Sequence, residues 1–259
     1  MADRSEIQWT QATLNPTTGC DRTSPGCDHC YALTLAKRLK AMGLPKYQRD
    51  GDPRTSGPGF GLTLHEDVLS IPERWSAPRT IFVNSMSDLF HVDVPDEFIH
   101  RVFEMMVSTP QHTYQVLTKR SKRLAKLAPD LPWPENVWMG VSIESDPYVF
   151  RADHLRAVDA AVRFLSLEPL LGPLPSLDLA GIGWVIAGGE SGAGSRPPEA
   201  DWFRDIRDRC LAKDIPFFFK QWGGRSPKAG GRLLDGRVWE ELPSSSVAQM
   251  HRGRERCVG

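Results

Sequence analysis

The sequence predicts an α/β fold in which parallel strands are joined by crossover helices, as a barrel or a doubly wound sheet. Three observations predict it. Short apolar runs rich in β-branched and aromatic residues alternate along the 259 residues with longer segments of helical periodicity. Some runs, such as Trp184-Val185-Ile186-Ala187, are apolar at every position, as strands buried on both faces are. Five runs end in, or pass directly into, polar or glycine-rich tips: Asn84 to Asp88, Thr118 to Arg120, Ser142 to Glu144, Glu168-Pro169 and Gly188 to Gly192. In α/β barrels the active site is built from loops at the C-terminal ends of the strands, so these tips can converge. Singly, such residues also cap helices and turn the chain.

In chain order, a first strand is expected around Ile7 to Ala12, then a cysteine-bearing loop and a helix from His29 to Met42. Lys46 to Gly59, crowded with Pro, Gly and charge, reads as a surface insertion. Strands follow at Gly61 to His65 and Thr80 to Asn84, a helix at Asp96 to Ser108, and a strand at Thr113 to Leu117. The alternation continues with helix Ser121 to Ala128, strand Val137 to Ile143, helix Tyr148 to Ala160 and strand Val162 to Leu167. Strand Trp184 to Ala187, helix Ala200 to Ala212 and strand Pro216 to Lys220 complete the set. From Gly224 onward the chain is rich in Gly, Arg and Ser with one short strand around Val238-Trp239. The expected division is therefore an α/β unit over residues 1–223 and an appended loop region over 224–259.

Lys and Arg number 32, equal to Asp and Glu, so global charge predicts neither nucleic-acid nor membrane attachment and any such partner must be met by a local patch. No long apolar run is present, and Met-Ala-Asp-Arg-Ser-Glu-Ile lacks a signal-peptide profile; a cytoplasmic protein without membrane contact is expected. In that compartment the clustered Cys20, Cys27 and Cys30 read as metal-binding or catalytic rather than as disulfide partners. Zinc competes for them, but it wants four protein ligands. His29 sits inside the turn between two of the thiols, Cys210 belongs to an apolar helix pattern, and Cys257 is left as a distant fourth. A four-iron, four-sulfur cluster on three thiolates leaves one iron open for a substrate or cofactor.

Two further features carry charge logic. Gly188-Gly189-Glu190-Ser191-Gly192-Ala193-Gly194 can cradle an anion with backbone N–H groups or simply connect a strand to a helix; it lacks the Lys-Ser/Thr ending of a P-loop. Lys119 to Lys126 places five cations near one loop and helix start, suited to phosphates or to a solvated helix face. With Arg252, Arg254 and Arg256 it is the sequence support for a nucleic-acid substrate.

The cysteine loop after a first strand, followed by β/α units, resembles the radical S-adenosylmethionine superfamily, in which three cysteines hold a [4Fe-4S] cluster whose free iron chelates the cofactor's methionine part. The sequence keeps the superfamily's two-residue gap between Cys27 and Cys30 and widens the usual three-residue first gap to six, where Ser24-Pro25-Gly26 can turn Cys20 back toward the pair. His29 stands where the superfamily usually has an aromatic residue near the adenine. Ser85-Met86-Ser87-Asp88, Thr118-Lys119 and Val141-Ser142 resemble strand-end motifs of the spore photoproduct lyase branch. By that resemblance Ser87 and Ser142 touch S-adenosylmethionine and Lys119 pairs with its carboxylate.

Trp9-Thr10, Asn15-Pro16, Gly26 to Ala32, Ser166 to Leu170 and Phe218 to Gly223 are similar to a phage-associated, radical-SAM-like family of unassigned function, often found beside three-Cys-motif partner proteins. The resemblance implies a (β/α) barrel or partial TIM-like barrel, with Cys20, Cys27 and Cys30 on the cluster. It also implies a reductant for the cluster and a three-Cys-motif partner. The implied activity is cleavage of S-adenosylmethionine to a 5′-deoxyadenosyl radical that acts on an unidentified substrate, with nucleic acid the leading class. Asp88, Glu144, Glu168 and Glu190 lie near strand tips and can bind ribose, substrate or a proton. Glu168 ranks first as catalytic residue, since Leu167, Pro169 and Leu170 flank it, and Asp88 second; Glu144, Gly188, Gly189, Glu190 and His29 are expected beside the cofactor. Ser85 stands where photoproduct lyase has its cysteine hydrogen donor, and its O–H bond is too strong for that task. The alternative reading is a zinc-stabilised, non-catalytic nucleic-acid-binding module.

Overall fold

The computed structural model describes residues 5, 7–226 and 229–243. Its centre is a seven-stranded, wholly parallel sheet: β1 (Ala12–Leu14), β4 (Thr80–Val83), β5 (Thr113–Thr118), β6 (Val137–Ser142), β7 (Val162–Leu167), β8 (Trp184–Gly188) and β9 (Phe217–Gln221), in that spatial order. The sheet curls into a half-barrel, the partial TIM-like barrel expected. Helices α1 (Tyr31–Ala41), α2 (Asp96–Ser108), α3 (Ser121–Leu127), α4 (Phe150–Arg156) and α5 (Ala200–Ala212) follow the strands. In α2, Asp96 and Glu97 in the first turn complement the helix dipole, while Phe98, Ile99, Val102, Phe103, Met105 and Met106 form the buried stripe. Among the described residues no helix is long and apolar enough to cross a membrane.

The two faces of the sheet have different chemistry. Helices cover the convex face in one continuous apolar core of mixed aliphatic and aromatic side chains. The concave face carries a second cluster of Trp9, Phe82, Trp138, Phe164, Trp184, Ile186 and Phe218, an aromatic plug toward the strand starts. Full burial of each such ring stabilises the fold by about 1.5–3 kcal/mol. Gly140 belongs to this packing, since a Cβ there would come within 2.4 Å of the Phe164 ring. Beyond the plug the same face turns polar, with Ser142 and Ser166 paired in register on β6 and β7.

Three expected elements differ. The first strand begins only at Ala12, because residues 7–10 form a turn (Thr10 N–H to Ile7 O, 3.2 Å) that drops Trp9 into the aromatic plug. The strand expected at Gly61 to His65 shrinks to β3 (Thr63–Leu64), which pairs antiparallel with β2 (Thr17–Thr18) outside the main sheet. Helix α4 is shorter than the Tyr148 to Ala160 pattern, since Pro147 sits in a 3-10 turn and the chain past Arg156 turns toward β7. After Gly224 the hairpin β10 (Leu233–Leu234) and β11 (Arg237–Val238) leads into residues that bond to β9, and Leu234 and Trp239 join the main core. Cys257, Arg252, Arg254 and Arg256 lie outside the described residues.

Candidate active site at the strand tips

A cavity of about 530 Å³ opens at the C-terminal ends of the strands and is lined by Cys20, Cys27 and Cys30 together with Asn84, Ser87, Asp88, Lys119, Ser142, Ser166, Glu168 and Lys220. The cysteine loop reaches it through Gly19, which bridges to Ser87 in a left-handed conformation (φ 87°) and lies so close to Gly61 O that a Cβ would sit 2.3 Å away. All three thiols are free and partly exposed. The widened first gap is thus compatible with one shared cavity. Burial pushes the Cys20 thiol up to about 12 and raises that of Cys30, against which the Lys119 ammonium acts. Among the described residues no three His, Cys, Asp or Glu side chains are gathered closely enough for one metal ion. A four-iron cluster asks for less convergence, taking one thiolate on each of three irons.

The extra loop residues are tied down by Asp21. Its carboxylate accepts from Thr55 Oγ1 (2.5 Å), Ser56 Oγ (3.0 Å) and His91 Nε2 (3.0 Å). His91 is buried, and Asp93 N–H donates to its Nδ1, which leaves the proton on Nε2 for Asp21. The stretch expected to be a mere surface insertion therefore anchors the cysteine loop. Burial raises the Asp21 pKa, but the bonds from Thr55, His91 and Ser56 outweigh it and hold the carboxyl below its ordinary 3.8. Its stabilisation is present above 3.8 and is lost as pH falls toward the lowered value. Asp21→Asn will cost about 1 kcal/mol at neutral pH, allowing for partial exposure, and denaturation against pH will show the difference from wild type shrinking below pH 4.

Asn84 and Ser87 form a second framework. Asn84 Nδ2 donates to Thr17 Oγ1 and Ser87 Oγ, both at 2.8 Å, and Ser87 Oγ donates to Thr17 O at 2.8 Å. Among the described residues Asn84 Oδ1, buried at the cavity, has no hydrogen-bond partner. Asp88, expected as a second catalytic candidate, lines the cavity and accepts from Thr118 Oγ1 (2.7 Å), Lys119 N–H (3.0 Å) and Phe90 N–H (3.0 Å). It thereby fixes the tip that carries Lys119, whose ammonium forms no ion pair among the described residues. Glu168 meets a partner absent from the sequence expectations, Lys220 at 2.7 Å, with Ser166 Oγ at 3.4 Å. Strand alternation signals Lys220, two positions beyond the inward Phe218 on β9.

The remaining expected residues support the site from outside the cavity. Glu144 is fully buried against Arg151 (2.8 Å) and touches Gly26 of the cysteine loop, where a Cβ would be 3.2 Å from its carboxyl carbon. Glu190 is buried and held by Arg196, which also donates to Pro25 O (2.8 Å) and lies 3.6 Å from Asp28. The glycine-rich loop is thus latched to the cysteine loop through a guanidinium. Gly188 and Gly189 are buried behind the lining, and exposed His29 packs beside Gly194. Arg123 is likewise engaged, by His91 O, Val94 O and Asp96, which leaves Lys122 and Lys126 as the exposed cations of α3.

The fold and site define a parallel half-barrel with a three-thiol cavity at the strand tips. The chain belongs to the family described as Protein of unknown function (DUF5131), whose model matches residues 4–243. No curated protein matches it. Among solved structures it is similar to spore photoproduct lyase complexed with dinucleoside spore photoproduct, at 16% identity over 98% of this chain and 74% of that one, with a TM-score of 0.46. A cysteine-to-serine mutant of that enzyme gives the same identity and coverage with a TM-score of 0.49. A double mutant with bound AdoMet and the dinucleoside photoproduct matches at 14% identity over 80% of this chain and 62% of that one, TM-score 0.46.

Proposed function

We propose that this chain is a radical-SAM-type enzyme that binds a [4Fe-4S] cluster and S-adenosylmethionine in the strand-tip cavity. The observation that carries the reading is the joint presence there of three free thiols with, among the described residues, an ammonium on Lys119 that makes no ion pair and an acceptor, Asn84 Oδ1, that has no donor. Soft thiolates suit iron and sulfur, and a cation beside a buried acceptor suits the carboxylate and ammonium of an amino-acid moiety. When bound, a reduced cluster with one open iron supplies the electron that splits the cofactor's sulfonium.

The chain's residues do the rest. Cys20, Cys27 and Cys30 would hold the cluster, Lys119 would pair with the cofactor carboxylate, and Asn84 would accept from its ammonium. Ser87 holds Asn84 and Ser142 offers a hydroxyl from the facing wall. The Glu168–Lys220 pair lies on the β7 and β9 tips, where a carboxylate and an ammonium present an acceptor and a donor to a substrate. The aromatic plug closes the cavity floor to water. Nucleic acid is the substrate class to test first, because Lys122 and Lys126 stay exposed near the Lys119 tip.

Anaerobic reconstitution with iron and sulfide tests the reading. Wild type should take up both in equal amounts, and Cys27→Ala should lose most of that content. Stoichiometric zinc without iron or sulfide, lost on Cys27→Ala, would instead support the non-catalytic zinc module.

A further inference from the structure

Among the described residues Arg120 is a cation without a carboxylate partner. Among the described residues its guanidinium makes no ion pair; Nη2 donates to Cys20 Sγ at 3.8 Å and to Asp21 O at 3.2 Å, while Nε is buried without a partner. The side chain starts from a fixed point, because Arg120 N–H donates to Thr118 Oγ1 (2.8 Å) and that hydroxyl donates to Asp88. A partly buried guanidinium with its Nε enclosed, aimed at a thiol in place of a carboxylate, calls for negative charge at the sulfur. The other cation of this tip, Lys119, acts on Cys30.

We infer that Arg120 is a positioning residue that hydrogen-bonds the Cys20 thiolate and stabilises the reduced state of a cluster held there. Reduction adds one negative charge to the cluster and its sulfurs, so a cation and N–H donor at one sulfur favour it and raise the potential. The bond to Asp21 O holds the guanidinium against the widened first gap, so the loop insertion and the charge act together. The inference rests on the reading of the three thiols as cluster ligands.

The test is an EPR-monitored dithionite titration of reconstituted wild type, Arg120→Lys and Arg120→Gln, with iron content and far-UV circular dichroism measured on each. Arg120→Gln should need a poise at least tenfold more reducing in equilibrium terms, about 59 mV lower for one electron. Arg120→Lys, keeping the charge and losing the planar fork, should shift the same way by less. Wild-type potential in either variant, or a larger shift in Arg120→Lys than in Arg120→Gln, would overturn the inference. If Arg120→Gln holds no iron, the Arg120→Lys potential decides by the same criterion. Wild type that takes up no iron and sulfide would overturn the cluster reading itself, a failure visible before any variant is made.

Discussion

Arg151→Met will destabilise the protein by about 3–5 kcal/mol, the largest stability effect expected of any single change at the site. Glu144 is fully buried and the Arg151 side chain is 3% exposed. Arg151 Nη1 donates to Glu144 Oε2 at 2.8 Å and to Ser142 O at 2.7 Å, and its guanidinium lies 4.4 Å from the Tyr148 ring centre. Among the described residues Glu144 Oε1 has no hydrogen-bond partner, so removing Arg151 leaves a buried carboxylate without its ion-pair donor. Gly26 rests on Glu144, so the disturbance reaches the cysteine loop as well as the Ser142 tip. Urea denaturation of the single variant and of the double variant Glu144→Gln/Arg151→Met checks this. The double variant should recover part of the loss, and a single-variant loss below about 1 kcal/mol would mean that the pair is not desolvated as described.

On the proposed function, Lys119→Met will weaken S-adenosylmethionine binding about tenfold to a hundredfold without lowering iron content. A hydrogen bond to a charged group contributes about 1.5–3 kcal/mol, and Lys119 has no competing carboxylate among the described residues. Asp88 holds the backbone at this tip whatever side chain follows, so the loss is confined to the ammonium. Isothermal titration of reconstituted protein reads it. An affinity equal to wild type would remove Lys119 from the cofactor.

Much of the fold was legible because each central strand is a compact apolar run and each long helix shows a stripe. α2 and α5 match their expected spans, Asp96–Ser108 and Ala200–Ala212. The first strand was misplaced because Trp9, an apolar residue in an extended-looking run, is drawn from the sheet into the concave aromatic plug. At the site, the residue types and strand ends were readable, but their partners were not. Whether a tip carboxylate faces the cavity depends on which cation the fold delivers to it. Arg151 takes Glu144 and Arg196 takes Glu190 away from the cavity, whereas Asp88, bonded to its neighbouring tip, and Glu168, paired with Lys220, remain on the cavity wall. The Asp21 anchor was hidden because its partners come from the stretch around Thr55 and from His91, which composition alone marks as loop.

The measurement that tests the central claim most directly is formation of 5′-deoxyadenosine. Reconstituted protein is reduced with dithionite under anaerobic conditions, supplied with S-adenosylmethionine and candidate nucleic-acid substrates, and assayed by chromatography beside Cys30→Ala. The account predicts product in wild type and none above background in the variant. A verified cluster that yields no 5′-deoxyadenosine above the Cys30→Ala control, with or without those substrates, would contradict it.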